Sequence, residues 1–517
     1  MFFDRIEKDK VNSTEFNLSH TVRTSFDMGE LVPVLCEEVV PGDVWDLRSE
    51  ALVRFAPLVS PVMHEVEQEI AYFFVPNRIL WSEWEDWITN KVQSAVPTLQ
   101  IGIQMQAKNL GGYMNLPTPL LLTATEEVSA FPNAAYNKIY NEYYRDQNLS
   151  AEIPDTLVSG VQNAATWTGA SYNDSVQRSA WMHDYFTSAL PTAQQGDPVL
   201  LPLITDQTLE VDYQSNGQPW LVRNSAGTLS SLDTELDGNA SGQLKMSTAA
   251  LRTLDPNGTL QVDFTGEATD IITVRRAFRL QEWLEKNIRG GQRYTEILQN
   301  HFNVRSQDAR LQRPEMIGGF SKPVAFSEVL STAQTLDAGS NEIPIGAFGG
   351  HGYSYGGGQR FRYKCHEHGW IIAIMRVRPK TAYFQGIHRK WQRFDQLDYL
   401  WPTFEHIGEQ EVKTTELYAL GLGGTQDPDE VFGYVPRYAE YKFINDTVTG
   451  DMRGTLNYWH LARIFDTKPV LNEDFIKCTP SKRIFADTSE DNNSLWVMIH
   501  HDIKADRPLS YYSTPKM

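Results

Sequence analysis

Cys365, His366, Glu367 and His368 form the strongest candidate for metal chemistry in this sequence. Two histidines separated by one residue point to the same face of an extended strand, and imidazole nitrogens are common ligands of transition metals. The positions four and five residues after the pair, where a carboxylate ligand would complete a site, hold Ile372 and Ala373. We therefore expect these to be polar residues that immediately precede a buried strand.

Cationic and aromatic residues are interleaved in the basic part of the chain. Residues 360–394 contain nine Lys or Arg and a single acid, Glu367. Such a pattern suits sequence-independent binding of single-stranded nucleic acid, because cations neutralise phosphates and rings stack on bases. Salt bridges to an acidic neighbouring subunit are the alternative. The predicted DNA-facing residues are Arg360, Arg362, Lys364, Arg389, Lys390, Trp391 and Arg393.

Of two further enzyme motifs, one is incomplete in this sequence and the other is absent. The glycine-rich stretch 346–358 lacks the Gly-Lys-Ser/Thr ending of a phosphate-binding loop, so it is expected to be a flexible loop. No Gly-x-Ser-x-Gly sequence, which would place a nucleophilic serine on a sharp turn, occurs anywhere. The sequence therefore predicts no catalytic residue, no metal and no cofactor.

The elements that position these residues are predicted to be short strands joined by long loops. Glycine (35 residues) and proline (26 residues) are frequent enough to favour turns over long helices. Residues 271–302 are the clearest helical stretch, since apolar residues recur there along one helical face. Apolar or alternating stretches bounded by turn residues predict strands at 31–40, 47–56, 65–74, 370–377 and 495–502. This pattern is typical of a mainly β sandwich or jelly roll.

Five stretches spread over the chain carry a family resemblance. They are MGELVPVLCEEVVPGD (28–43), FFVPNRILWSEWEDWIT (73–89), RGGQRYTEILQNHFNVRSQDARLQRPEMIGG (289–319), HGWIIAIMRVRPKTAYFQGIHRKW (368–391) and FGYVPRYAEYKFINDTVTGDMRG (432–454). The chain resembles the major capsid proteins of Microviridae, which are small single-stranded DNA bacteriophages, and it is most similar to the gokushovirus-like branch. The resemblance implies an eight-stranded viral jelly roll with long loop insertions and a few short helices.

The resemblance also implies how such a chain works. Sixty copies would form a T=1 icosahedral shell around a circular single-stranded DNA genome. The partners implied are a small basic packaging protein, an internal scaffold, a DNA pilot protein and a host surface receptor. The protein would be part of the virion and would be assembled in the bacterial host cytoplasm.

Two other functions are weighed against a capsid role. Cupins are jelly rolls that bind metal through a His-x-His pair, so a cupin-like metal enzyme using His366 and His368 is the first alternative. A secreted sugar-binding module is the second, and the absence of a signal-peptide pattern in the first residues argues against it. With no apolar run of 18 residues and only three cysteines, the sequence predicts a chain without a membrane span or a disulfide framework.

Charge is distributed unevenly along the chain. The net charge is −19, and residues 191–270 contain eleven Asp or Glu against three Lys or Arg. Four Asn-Gly, Asp-Gly or Ala-Gly pairs in this segment favour hairpins. The domains predicted are an N-terminal arm (1–20), a jelly-roll core (21–190 and 271–517) and a β-rich surface insertion (191–270) that forms a threefold protrusion, as the resemblance implies. The protrusion is predicted to present Asp206, Glu210, Asp212, Trp220, Asp233, Glu235 and Asp237.

Overall fold

The computed structural model describes residues 13–99, 103–122, 126–162, 174–196, 199, 271–291, 293–331, 348–420 and 427–512, together with short strands between these ranges. The chain divides into two compact units. The first consists of Met1–Gln195 and Glu285–Met517, and the second is Gly196–Leu284. The described strands of the second unit are Leu221–Arg223, Leu229–Ser231, Asp237–Gly238, Leu244–Lys245 and Thr253–Leu254.

Eight long strands form the centre of the first unit. They are β1 (His20–Phe26), β2 (Val32–Val39), β3 (Val44–Phe55), β4 (Val66–Pro76), β5 (Glu315–Pro323), β6 (Phe348–Gly357), β7 (Gly369–Pro379) and β8 (Leu495–Arg507). One antiparallel sheet has the order β1-β8-β3-β6, and the other has the order β5-β4-β7-β2. Two four-stranded sheets with this order form a jelly roll, so the predicted eight-stranded fold is confirmed.

Three shorter strands extend the first sheet, and other short strands lie within the loops. Thr14–Asn17 and Phe361–Lys364 pair with β8 and β3, and Ala325–Leu330 pairs with β6. Thr14–Asn17 lies within the predicted N-terminal arm, and its partner strand belongs to the same chain. The remaining strands are Thr98–Leu99, Ile103–Met105, Leu120–Leu122, Val128–Ser129, Val161–Gln162, Thr335–Leu336, Glu342–Ile343, Ala382–Tyr383, Glu409–Lys413, Val431–Pro436 and Asp446–Thr447.

The main core lies between the two sheets. Every second residue along each strand points into this space, and most of these residues are apolar. In β3, for example, Trp45, Val53 and Phe55 are buried, whereas Arg48 and Arg54 between them are exposed. This period-two pattern is typical of a sheet that has one buried face and one solvent-exposed face. The sheet β1-β8-β3-β6 therefore has an outer face with exposed side chains.

The second sheet is covered on both faces. A helix, α1 (Phe131–Ile139), which continues as a π-helical turn over Tyr140–Tyr144, packs with β4 and β7 in a separate apolar cluster. Ala134 and Tyr136 of the helix and Phe73 and Ile372 of the strands are buried in this cluster. Burial on both faces explains why β7 is a continuous apolar run, as the sequence predicted.

Two helices, one of them the longest among the described residues, follow the insertion. The predicted helical stretch is confirmed as α2 (Ile271–Gly290) and α3 (Tyr294–Phe302). Among the described residues, no helix is both long and apolar enough to cross a membrane. The other α-helices are Asn77–Leu80, Trp84–Ile88, Leu110–Tyr113, Thr414–Leu417, Ala439–Lys442 and Glu473–Ile476, and short 3-10 turns occur at Asp308–Leu311, Arg389–Trp391, Gln396–Asp398, Pro402–Phe404, Gly450–Arg453, Asn457–Trp459 and Lys482–Ile484.

The prediction of a flexible glycine-rich loop at 346–358 was wrong over most of its length. Residues 348–357 form β6, which pairs with β3 through Ser354 and its neighbours. The glycines are required by packing: a Cβ atom on Gly350 would lie 2.1 Å from the carbonyl oxygen of Ser60. Glycine here permits a close backbone approach within a strand, which sequence pattern alone does not distinguish from a loop.

Candidate functional site

The segment Cys365-His366-Glu367-His368 does not have the geometry of a metal site. The chain bends between the strand ending at Lys364 and β7, so the two histidines are not on one extended strand as predicted. Glu367 is bound by Arg78 through two hydrogen bonds of 2.8 and 3.0 Å, and the His368 ring packs edge-on against Trp84. Within the described ranges, no group of three potential metal-ligating side chains occurs.

Cys365 is a packing residue. Its side chain is fully buried in the main core, and burial raises the pKa of the thiol to about 12. A thiol with this pKa is almost entirely protonated at neutral pH, so it is neither a nucleophile nor a ready metal ligand. This arrangement gives no support to the cupin-like alternative.

The first group of predicted DNA-facing cations lies on the outer face of the first sheet. Phe361 and Tyr363 pack against the main core, so the alternating Arg360, Arg362 and Lys364 face outward together, as the spacing predicted. However, Arg360 is paired with Asp46 and Asp502. Acids on neighbouring strands therefore cancel part of the positive charge.

Arg362 and Lys364 are the more exposed members of this group. Arg362 lies 3.6 Å from Asp506, and its side chain remains largely exposed. Lys364 is exposed at the end of the short strand. A surface ion pair of this kind is weak, so both cations stay accessible to an external phosphate.

The second group of predicted cations belongs to a different environment. Arg389 lies 3.3 Å from Glu416, and Arg393 lies 3.5 Å from Glu440. Both carboxylates are buried, and burial raises the pKa of Glu416, an effect that the Arg389 charge opposes. These two arginines hold the loops together, which leaves Lys390 and Trp391 as the exposed members of the group.

A set of exposed apolar side chains surrounds this ion-pair network, and we call it the loop patch. Its members are Ile387, Trp391, Phe394, Tyr399, Tyr441, Phe443 and Ile444. Trp391 is 71% exposed, Phe394 91% and Ile444 88%. Five of the seven line one cleft of about 620 Å³. Because contiguous exposed apolar area of this kind marks an interaction site, the loop patch is a candidate contact between subunits.

A second surface, which sequence analysis missed, lies on the outer face of the first sheet. We call it the sheet patch, and its members are Arg23, Arg54, Tyr353, Tyr355, Trp496 and Met498. These residues are adjacent only because β1, β8, β3 and β6 pair in register. The available signal was the alternation in β8, where Trp496 and Met498 fall on the face opposite the buried Val497.

The side chains of the predicted protrusion residues all lie outside the described part of the structure. Asp206, Glu210, Asp212, Trp220, Asp233 and Glu235 lie outside the described residues. Asp237 lies in a two-residue strand that pairs with Leu244–Lys245, and its side chain is not described. The assignment of these residues to a protrusion stays a prediction.

An eight-stranded jelly roll with exposed apolar loops has the architecture of a mainly β viral shell protein. A family model described as "Capsid protein (F protein)" matches residues 5–517, so the chain belongs to this phage capsid protein family. Its role is that of a major capsid protein, a structural component of a bacteriophage virion.

Relatives agree over almost the whole chain. It is 32% identical to "Capsid protein VP1" of Bdellovibrio phage phiMH2K over 534 residues, covering 99% of this chain and 97% of that protein. It is 31% identical to "Capsid protein VP1" of Chlamydia phage 1, with the same coverage. The corresponding protein of Spiroplasma virus 4 is 28% identical, also over 99% of this chain and 97% of the relative.

Proposed function

We propose that sixty copies of this chain form a T=1 icosahedral shell around a circular single-stranded DNA genome. The observation that supports self-assembly most directly is the loop patch, because exposed side chains such as Phe394 and Ile444 are costly to leave in water. A neighbouring subunit that covers them removes this cost. The role is structural, and no catalytic step is part of the proposal.

The test is the particle size of the purified protein, measured by light scattering and electron microscopy. Wild-type protein at high concentration, supplied with single-stranded DNA and the internal scaffold, is expected to give closed particles of one size. Phe394→Ser combined with Ile444→Ser should prevent particle formation while leaving the subunit folded, because both side chains are exposed. Leu509→Ser, an exposed apolar residue outside the loop patch, is the control and should still assemble. A wild-type chain that stays monomeric under these conditions would refute the proposal.

The interior surface is proposed to include the seven cationic and aromatic residues named from the sequence. Arg362, Lys364 and Lys390 support this proposal best because they are exposed. Arg360, Arg389 and Arg393 already have carboxylate partners, and Trp391 also belongs to the loop patch. Lys364→Gln combined with Lys390→Gln is expected to reduce the amount of packaged DNA. It should also weaken the salt dependence of DNA binding. Their location on the outside of an imaged shell would contradict this assignment.

The acidic segment 191–270 is proposed to project outward at the threefold axes and to contact a host receptor. Its excess of eight acids would repel a genome on the inside of the shell. By family resemblance, assembly in the bacterial cytoplasm involves a small basic packaging protein, an internal scaffold and a DNA pilot protein. The net charge of −19 is complementary to a basic packaging protein.

A further inference from the structure

The sheet patch combines aromatic rings and unpaired cations on an open β-sheet. Trp496 lies opposite Arg54, which lies opposite Tyr353, so three strands contribute one row. In the next row, Met498 lies between Arg23 and Leu52, and Leu52 is paired with Tyr355. From the usual spacing of strands and same-face residues, the two rows cover about 7 Å by about 15 Å.

The patch cations are free to bind an external anion. Neither Arg23 nor Arg54 forms an ion pair with any described residue, although both are exposed. Glu50 is the acid nearest along β3, and it is held by Arg48 at 2.8 Å and by the Tyr355 hydroxyl at 3.1 Å. This contrasts with Arg360, whose charge is matched by two aspartates. The patch therefore contributes two unpaired cations to the sheet face, in addition to the accessible Arg362 and Lys364.

The three rings of the patch lie on strands that are paired on both sides, whereas β1, which carries Arg23, is an edge strand. β8 has strands on both sides, and β3 lies between β8 and β6, so their main-chain hydrogen bonds are used within the sheet. A partner that added a strand would need a free edge. Recognition at Trp496, Tyr353 and Tyr355 must therefore rely on side chains, and those of the patch are rings, guanidinium groups and a thioether.

We propose that the sheet patch binds single-stranded nucleic acid by stacking bases on Trp496, Tyr353 and Tyr355, while Arg23 and Arg54 contact phosphates. Open four-stranded sheets that display two or three aromatic residues bind single strands in this manner, and stacking accepts any base. The inference deepens the proposed function, on which it rests for the presence of a single-stranded genome, and it places the contact on residues other than the seven predicted from sequence.

The test measures binding of a labelled oligothymidylate of about 16 nucleotides to the full-length chain by fluorescence anisotropy. Trp496→Ala and Tyr353→Ala are each expected to weaken binding about tenfold. Arg23→Gln with Arg54→Gln should reduce the slope of log K against log salt by about 1.4, because two phosphate contacts are lost. Tyr512→Ala, an exposed ring elsewhere, and Lys468→Gln, a cation paired with Glu430 outside the patch, are the controls and should bind like wild type.

Location is tested independently of affinity. An oligonucleotide carrying bromodeoxyuridine, irradiated on the wild-type chain, should cross-link to Trp496, Tyr353 or Tyr355. Cross-links found only at Trp391 and its neighbours, or loss of binding in Lys364→Gln/Lys390→Gln but not in the patch variants, would overturn the inference and leave the shell proposal intact. A wild-type chain that binds no oligonucleotide would also overturn it.

Light scattering separates the remaining outcomes. Patch variants that bind the oligonucleotide normally but no longer form particles would show that a second copy of the chain covers the patch, and the inference would then be wrong. Failure of wild type to form particles with scaffold and single-stranded DNA both supplied rejects the shell proposal instead, whether or not the oligonucleotide binds. Because every substituted side chain is at least partly exposed, circular dichroism of each variant should match that of wild type.

Discussion

His500 and His501 are neighbours in β8 with opposite environments. His500 is exposed on the outer face of the sheet, whereas His501 is fully buried between the sheets. His501 lies 2.6 Å from the Ser49 hydroxyl through Nδ1 and 3.0 Å from the carbonyl oxygen of Val34 through Nε2. A carbonyl only accepts, so Nε2–H donates to it and the Ser49 hydroxyl donates to Nδ1. Burial lowers the pKa of His501 to about 4.

This depressed pKa makes the folded subunit sensitive to acid. Between pH 6.5 and about pH 4, His501 is protonated in the unfolded chain but stays neutral in the folded chain. The free energy of unfolding therefore decreases as the pH falls through this range. Between pH 7 and pH 5 the loss is expected to be about 2 kcal/mol from this residue. Urea unfolding at the two pH values should show a smaller difference for His501→Gln. His500→Gln is the control, and an equal effect of both substitutions would contradict the assignment.

The buried pair of Arg389 and Glu416 is expected to be worth far more than a surface pair. The Tyr185 hydroxyl and the Lys413 backbone N–H also donate to Glu416, at 3.1 Å each. Glu416→Ala should destabilise the subunit by about 3 kcal/mol, because it removes the nearer carboxylate partner of Arg389, leaving Glu440 at 3.8 Å, and leaves the Tyr185 hydroxyl without its acceptor. Lys468→Ala, which breaks an exposed pair with Glu430, should cost less than about 1 kcal/mol. Similar midpoints for the two variants in urea would argue against this explanation.

At the scale of elements, the sequence predicted strands where the alternation or apolar run was long. The predicted 31–40, 65–74 and 370–377 correspond to β2, β4 and β7, within a few residues at each end. β6 was missed because its pattern is set by tight contacts with Ser60, Phe55 and Phe326 rather than by apolar periodicity. These contacts come from residues distant in sequence, so no local pattern reports them.

The same limit applies to the predicted cations. Alternation placed Arg360, Arg362 and Lys364 correctly on one face. The acids that neutralise Arg360, which are Asp46 and Asp502, come from strands more than a hundred residues away in each direction, so the sequence did not indicate them. The sheet patch could not be predicted from the sequence for the same reason, because its residues come from four different strands.

The packing of β6 gives a matched pair of substitutions. Gly350→Ala places a Cβ atom against the Ser60 carbonyl and should disrupt the mutual hydrogen bonds between Gly350 and Leu58, at a cost of about 1–3 kcal/mol. Gly349→Ala meets nothing closer than 3.7 Å and should leave stability within about 0.5 kcal/mol of wild type. Thermal unfolding of both variants is the measurement. Equal melting temperatures would show that the backbone around Ser60 can yield.

At the scale of the whole molecule, the division into two compact units predicts that the insertion is separable. Replacing residues 209–264 with a short Gly/Ser linker should leave the unit built on the jelly roll folded, because all eight long strands lie outside that range. Electron microscopy is expected to show intact shells without surface projections. Deleting 131–139 instead removes a helix buried against the second sheet, and should prevent folding. Loss of shells in the linker variant would assign the insertion to a subunit contact.

The position of β8 has a consequence for synthesis. This strand is central in its sheet, between β1 and β3, yet it follows both in the chain by more than 400 residues. A ribosome needs tens of seconds to make the intervening chain. During that time the edges of β1 and β3 that later pair with β8 have no partner. Such edges invite pairing with other nascent chains. Productive folding therefore depends on protection of those edges during translation, and the yield of capsid subunits should be limited by chaperone capacity in the infected cell.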